Sequence, residues 1–259
     1  MRSLILRAKK RVFASQLGLF SAPLGKEGYD FFDLEPYDYM SDAKRIDWKA
    51  FAKTRELYKK NFTEERSKNI HLLPILGGSL FFGSSRLKFE TLLEALAIIG
   101  FSALRSKERL FVQGTPIRNI FEFESFLQKL AAQKLIGKKA SFDPTLFYRS
   151  PKALTIVLSD FLEPVDLSLF RARDDVVALF ILDHLETEKV LYEDATLVDT
   201  ITLAQTGAKL ASSMHRYHKN ISALHQRQKS DFEKLGIEWV ELYEDSDIFT
   251  KLLHFFGSR

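Results

Sequence analysis

Two uninterrupted apolar runs constrain this chain more than anything else in it. They are Leu154-Thr155-Ile156-Val157-Leu158 and Val176-Val177-Ala178-Leu179-Phe180-Ile181-Leu182. A strand with one face in water alternates apolar and polar side chains, so a run without alternation must be covered on both faces. Around these runs the period changes. Phe89, Leu92, Leu93, Leu96, Ile99 and Gly100 share one face of a helix, and Phe123, Phe126, Leu127, Leu130 and Ala131 one side of a second over 120–134. Asn69 to Ile75 reads as a further buried strand despite Pro74, and Leu110-Phe111-Val112 as a short one. Leu57 to Phe62 partly alternates and suggests another. Gln205 to Leu235 reads as one long polar-faced helix stopped by Gly236, followed by a strand over 237–242 and a helix over 248–256. Strands alternating with helices predict an α/β fold with a mostly parallel sheet and helices on both faces. In such folds function sits at the carboxyl ends of the strands. Two ends stand out: the glycine- and serine-rich loop after Ile75, and Ser159-Asp160-Phe161.

Composition removes several classes of protein. Hydrophobic residues are 46% and charged residues 28% of 259, which supports a folded core rather than a disordered chain. There is no cysteine, so disulfides, cysteine-held zinc or iron–sulfur centres and cysteine nucleophiles are excluded. The uncharged stretch Asn69–Ser85 is interrupted by His71, Pro74, Gly77, Gly78 and Gly83 and does not read as a membrane span. Arg7 breaks the apolar run that starts at Leu4, which argues against a signal peptide and for a cytoplasmic protein. Charge is uneven: residues 1–27 carry six Lys/Arg and one acid, although the whole chain is only +4. Met1, Ile5, Ala8 and Val12 recur at helical spacing in that basic segment. The expectation is an amphipathic helix docked on the protein's own body. Peripheral contact of residues 1–20 with an anionic membrane is the alternative. No basic run interleaved with aromatics points to nucleic acid.

Chemistry-bearing motifs are sparse. Neither a G-x-G-x-x-G nor a G-x-x-x-x-G-K-[ST] loop occurs, and no G-x-S-x-G elbow is present. His184, between Asp183 and Glu186, reads as a loop-capping or exposed residue rather than a base, because no nucleophile motif accompanies it. His215, His218 and His225 read as the polar face of the long helix. Asp160, at the end of an apolar strand, suits either a hard cation or a turn cap. An enzyme is therefore not expected, and a hydrolase using Asp160 with His184 or Ser79 is the enzymatic alternative. Trp48 stands in a charged run. Two roles are open to it: covering the core while Arg45 and Asp47 pair or cap, or forming a partner-facing patch with them.

The stretch GYDFFDLEPYDYMSDAKRIDWKAFAKTRELYKKNFTEER, Gly28 to Arg66, resembles the opening block of domain-of-unknown-function family 58. These are von Willebrand factor A-like bacterial proteins commonly encoded beside MoxR-type AAA+ ATPases. The match runs through Gly28, Phe31, Tyr37, Arg45-Ile46-Asp47-Trp48-Lys49, Ala52-Lys53 and Glu64-Glu65-Arg66 without a gap. Ser79–Ser84 with Lys88 after it, Leu158–Glu163 and Asp175–Glu186 resemble later blocks, with His184 in a proline's place. Met40-Ser41-Asp42 replaces a Gly-Asp-Asp, and Glu35 an arginine. The resemblance implies a von Willebrand factor A-like doubly wound domain over 67–259 behind an N-terminal extension over 1–66. It also implies an adaptor or scaffold that works with a MoxR-type ATPase on a client complex. Metal-binding relatives of the fold use Asp-x-Ser-x-Ser after the first strand, and here those places hold Ile75, Gly77 and Ser79. Ser79 and Asp160 are accordingly expected as remnants of a Mg²⁺ site without a bound cofactor. Gly77, Gly78, Ser79, Phe161, Arg45, Asp47 and Trp48 are the expected partner-binding residues.

Overall fold

The computed structural model describes residues 1–15, 18–20, 31–37, 46–62, 68–187, 197–198, 205–206 and 210–259. In chain order its elements are α1 (Arg2–Ala14), β1 (Phe31–Pro36), α2 (Trp48–Thr54), β2 (Tyr58–Phe62) and β3 (Asn69–Pro74). Then follow α3 (Lys88–Arg105), β4 (Arg109–Val112), β5 (Thr115–Ile117), α4 (Ile120–Ala131), α5 (Leu146–Arg149) and β6 (Leu154–Ser159). The chain continues through α6 (Ser168–Arg171), β7 (Asp175–Leu182), α7 (His184–Thr187), β8 (Leu197–Val198) and β9 (Gln205–Thr206). It ends with α8 (Leu210–Lys234), β10 (Glu238–Tyr243) and α9 (Ile248–Gly257). Residues 1–20 and 68–259 form one compact unit and residues 21–67 another. The smaller unit's edge at Ser67 lies beside the expected boundary at 66, while the first twenty residues pack with the sheet.

The larger unit is a six-stranded sheet in the order β10-β7-β6-β3-β4-β5, parallel except for β5. Strand order reverses between β3 and β6, which makes the gap beyond their carboxyl ends the topological switch point. Both faces are covered, as the unbroken apolar runs require. Ile156, Leu158, Val177, Leu179 and Ile181 join α1, α3, α4 and α9 in one core. Val157, Val176, Ala178, Phe180 and Leu182 join Phe161, Phe170 and Phe232 in the other. The architecture is α/β and consistent with the von Willebrand factor A-like, Rossmann-like class.

The basic first helix docks as expected. Leu4, Ile5, Ala8 and Val12 are buried, and a fully buried Leu, Ile or Val side chain stabilises by about 1.5–3 kcal/mol. Lys9 pairs with Glu124 and Arg11 with Asp247, and the Val12 carbonyl accepts from Arg105. Three elements differ from the sequence reading. The long helix starts at Leu210 rather than Gln205, because Gln205–Thr206 pairs with Leu197–Val198 and Gly207 is a poor helix residue. β5 forms where Gly114-Thr115-Pro116 suggests a turn, and Pro116 is tolerated there because β5 is an antiparallel edge strand. β1 was hidden in a charged, aromatic stretch and pairs antiparallel with β2.

In the smaller unit Asp47 caps α2, its Oδ1 accepting from Lys49 N (2.9 Å) and Ala50 N (3.3 Å). Trp48 does not cover a core: it is 63% exposed and meets Phe51 edge-on. Arg45 and the Glu64-Glu65-Arg66 block lie outside the described residues.

Candidate functional site

The loop leaving β3 is built by close approach. Ile75 N donates to Leu158 O (2.9 Å) and Gly78 N to Lys138 O (2.7 Å), which lays the chain against the 138–140 segment. A Cβ on Gly77 would fall 2.8 Å from both the Cβ and the N of Ala140. Only glycine fits there without moving backbone. A 3₁₀ turn over Gly78–Phe81 follows, with Leu80 buried and Ser79 half-buried. The loop then returns to Lys88, the first residue of α3, whose N–H is held by Phe82 O (2.8 Å).

Lys88 is completely buried. Its Nζ lies 3.0 Å from Asp160 Oδ2 and 2.7 Å from Glu186 Oε1. The first carboxylate comes from the end of β6 and the second from α7, after β7. Tyr217 of α8 donates its hydroxyl to the same Glu186 oxygen (3.2 Å), while Glu186 Oε2 is buried without a hydrogen-bond partner. Burial opposes the Lys88 charge, but the two carboxylates outweigh it and hold the ammonium above its ordinary range. Burial pushes Glu186 upward, and attraction to Lys88 offsets this only in part. The Tyr217 phenol is also raised, first by burial and then by the Glu186 charge. His225 Nε2 donates to the Asp160 carbonyl (2.8 Å), and burial keeps the ring's pKa below its ordinary value. His218 Nε2 donates to Leu185 O (2.7 Å). The helix histidines expected as a polar face thus divide: His215 is exposed, His218 half-buried and His225 turned inward to fix the strand end.

A second cluster lines the same edge. Asp183, fully buried after β7, accepts from Ser84 N (2.7 Å) and Leu185 N (2.9 Å). The Ser84 hydroxyl is 3.1 Å from Asp183 Oδ2 and 2.9 Å from Glu244 Oε1, so its single proton is shared between the ends of β7 and β10. Glu244 also accepts from His184 N (3.2 Å to Oε2). His184 pairs through Nε2 with Asp245 (3.1 Å) and stacks on Tyr243, with ring centres 4.4 Å apart. The ligand atoms of His184, Glu244 and Asp245 lie within 4.8 Å of one another, the spacing of a cation site, but Glu244 is already engaged by protein N–H and O–H groups.

Several expected site residues sit elsewhere than expected. Gly77 and Gly78 are buried. Phe161 is 1% exposed, with its ring between Phe180 (4.4 Å) and Phe232 (5.3 Å). It fills the core instead of meeting a partner, and its φ of 48° turns the chain out of β6. What the loop leaves on the surface is Ser84, Ser85 and the half-buried Phe81 and Phe82. A Mg²⁺ site does not fit these residues. Ile75 supplies no side-chain oxygen, Gly77 has no space for one, and the Asp160 carboxylate already faces an ammonium. Lys88, Glu186, Tyr217, Asp183 and Glu244 were missed as site residues. Lys88 and Glu186 did stand inside the resembling blocks, whereas nothing in the sequence marks Tyr217 or Glu244.

The fold and this edge define a class: an α/β protein with a mostly parallel sheet, consistent with the von Willebrand factor A-like kind, and an ionic cluster at its switch point. More particularly, residues 33–228 match the family described as Protein of unknown function DUF58, and the chain belongs to that family. No curated protein and no solved structure matches it. Among the described residues, no helix is long and apolar enough to cross a membrane.

Proposed function

We propose that this protein is a non-enzymatic adaptor that presents the carboxyl edge of its sheet and the outer side of α2 to other proteins. It works with a MoxR-type AAA+ ATPase in remodelling or maturing a client complex in the cytoplasm. The ATPase partnership comes from the family resemblance. The observation that carries the non-enzymatic reading is the commitment of the edge carboxylates. Asp160 and Glu186 face Lys88, while Asp183 and Glu244 face Ser84 and backbone N–H groups. Such an arrangement holds loops in place; it does not set a base against a nucleophile. Trp48 adds an exposed aromatic of the kind that anchors interfaces.

The test is capture of the ATPase encoded nearest the gene, in ATP and in ADP, by the intact chain and by Trp48→Ala. The proposal expects retention that differs between nucleotides and weakens at least about tenfold in the variant, the loss of one interface anchor. Equal absence of retention in both nucleotides overturns it.

A second reading rests on α1. Its inner face is used by the core, but its outer face exposes Leu6 and Phe13 among Arg2, Arg7 and Lys10. That combination suits an anionic lipid surface. Flotation with phosphatidylserine vesicles, lost on Phe13→Ser, supports it; no flotation of the intact chain removes it.

A further inference from the structure

We propose that the Lys88 ammonium is the resident cation of the switch-point site and closes that site to divalent ions. Three independent features support this. The ammonium bridges the strand-end carboxylate Asp160 and the α7 carboxylate Glu186 at hydrogen-bond distance, 3.0 and 2.7 Å. Lys88, Asp160 and Glu186 are all essentially without solvent contact, whereas Mg²⁺ keeps several waters in most protein sites. The β3 loop cannot contribute ligands at the two earlier places of the metal pattern. Ile75 is apolar, and any side chain on Gly77 runs into the backbone of Ala140.

Charge and geometry agree. One ammonium against two carboxylates leaves a formal charge of −1, and the Tyr217 hydroxyl supports the excess at Glu186 Oε1. A dication brought to Asp160 meets a positive charge already held by two carboxylates. The ammonium also ties together the segments that shape the edge. Through it the β3 loop, the end of β6, α7 and α8 share one ionic centre, with His225 adding a second tie from α8 to Asp160. The surface is therefore set by folding and not by ion concentration. This inference stands on the geometry of the site and does not depend on the adaptor reading.

Mn²⁺ titration followed by electron paramagnetic resonance tests it, using the whole chain, Asp160→Asn, His184→Ala and Lys88→Met. The proposal expects the unaltered chain to take up no Mn²⁺ that Asp160→Asn removes. Uptake removed by His184→Ala alone belongs to the rim cluster and agrees with the proposal. Lys88→Met frees both carboxylates and gains a site at least about tenfold tighter than anything in the parent, lost again when Asp160→Asn is added. Uptake by the unaltered chain that Asp160→Asn abolishes and His184→Ala leaves intact overturns the proposal. A folded Lys88→Met protein that gains no Mn²⁺ site overturns it too. If that variant does not fold, the parent titration alone decides.

Discussion

Lys88 and His184 stand at the same edge of one sheet, each a basic side chain set against two nearby acids, and their surroundings could hardly differ more. Lys88, Asp160 and Glu186 are sealed from water. His184 keeps 34% of its side chain exposed and its partner Asp245 68%. In the sealed cluster every charge has been stripped of solvent, so each depends on its partners and none can be removed cheaply. At the rim, water competes with the His184–Asp245 contact, and that pair can open without leaving a stranded charge. The comparison separates what holds the edge together from what is free to respond at its surface.

The largest effect is expected from breaking the sealed cluster. Lys88→Met leaves two buried carboxylates uncompensated and costs about 3–5 kcal/mol, read as a lower denaturation midpoint at constant slope. Adding Asp160→Asn and Glu186→Gln to it recovers much of that loss, because a neutral trio no longer buries charge. A triple variant as unstable as the single one contradicts the ionic account of the cluster.

A buried group without an ionic partner sharpens the contrast. His71, in the middle of β3, accepts from Gly114 N (3.0 Å), and burial pushes its pKa down to about 4 in spite of Asp174. Between about pH 6.5 and 4 the unfolded chain takes up a proton that the folded chain refuses. Its contribution is complete above about pH 6.5 and lost as pH falls to about 4, on the order of 3 kcal/mol. Denaturation series over that range are expected to show the decline, and His71→Gln, which keeps an acceptor but cannot titrate, to flatten it.

Gly77→Ser restores the hydroxyl of the metal pattern but drives a side chain against Ala140, for an expected loss of about 1–3 kcal/mol. Addition of MgCl₂ is expected to recover none of it. Smallest of all is the rim: Asp245→Asn is expected to change stability by less than about 1 kcal/mol, and less still at high salt. A rim variant as costly as Lys88→Met erases the distinction between the two clusters.

Much of the fold was legible because its signal is local. Unbroken apolar runs demand two covered faces, and Phe89 to Gly100 states a helix by its spacing alone. Both loops that flank the switch point were recognised as strand ends, although the strand order that makes them neighbours was not. The side chains that fill it were not. Lys88 enters the sequence reading only as the end of a resembling block, and nothing local says that Asp160, 72 residues on, will neutralise it. Phe161 erred in the opposite direction: at a strand end it reads as exposed, but a left-handed backbone turns its ring inward. For Trp48 the sequence left two roles open, and its exposure removes only the core-covering one. Pairings across long sequence separation, and the direction a side chain takes after a cap or turn, are set by the assembled fold.

The most direct test of the central claim is anomalous X-ray diffraction from crystals grown in millimolar MnCl₂. The account predicts Lys88 Nζ in hydrogen-bond contact with Asp160 and Glu186 and no manganese peak between those carboxylates. A peak at Asp160 with Lys88 swung away would contradict it.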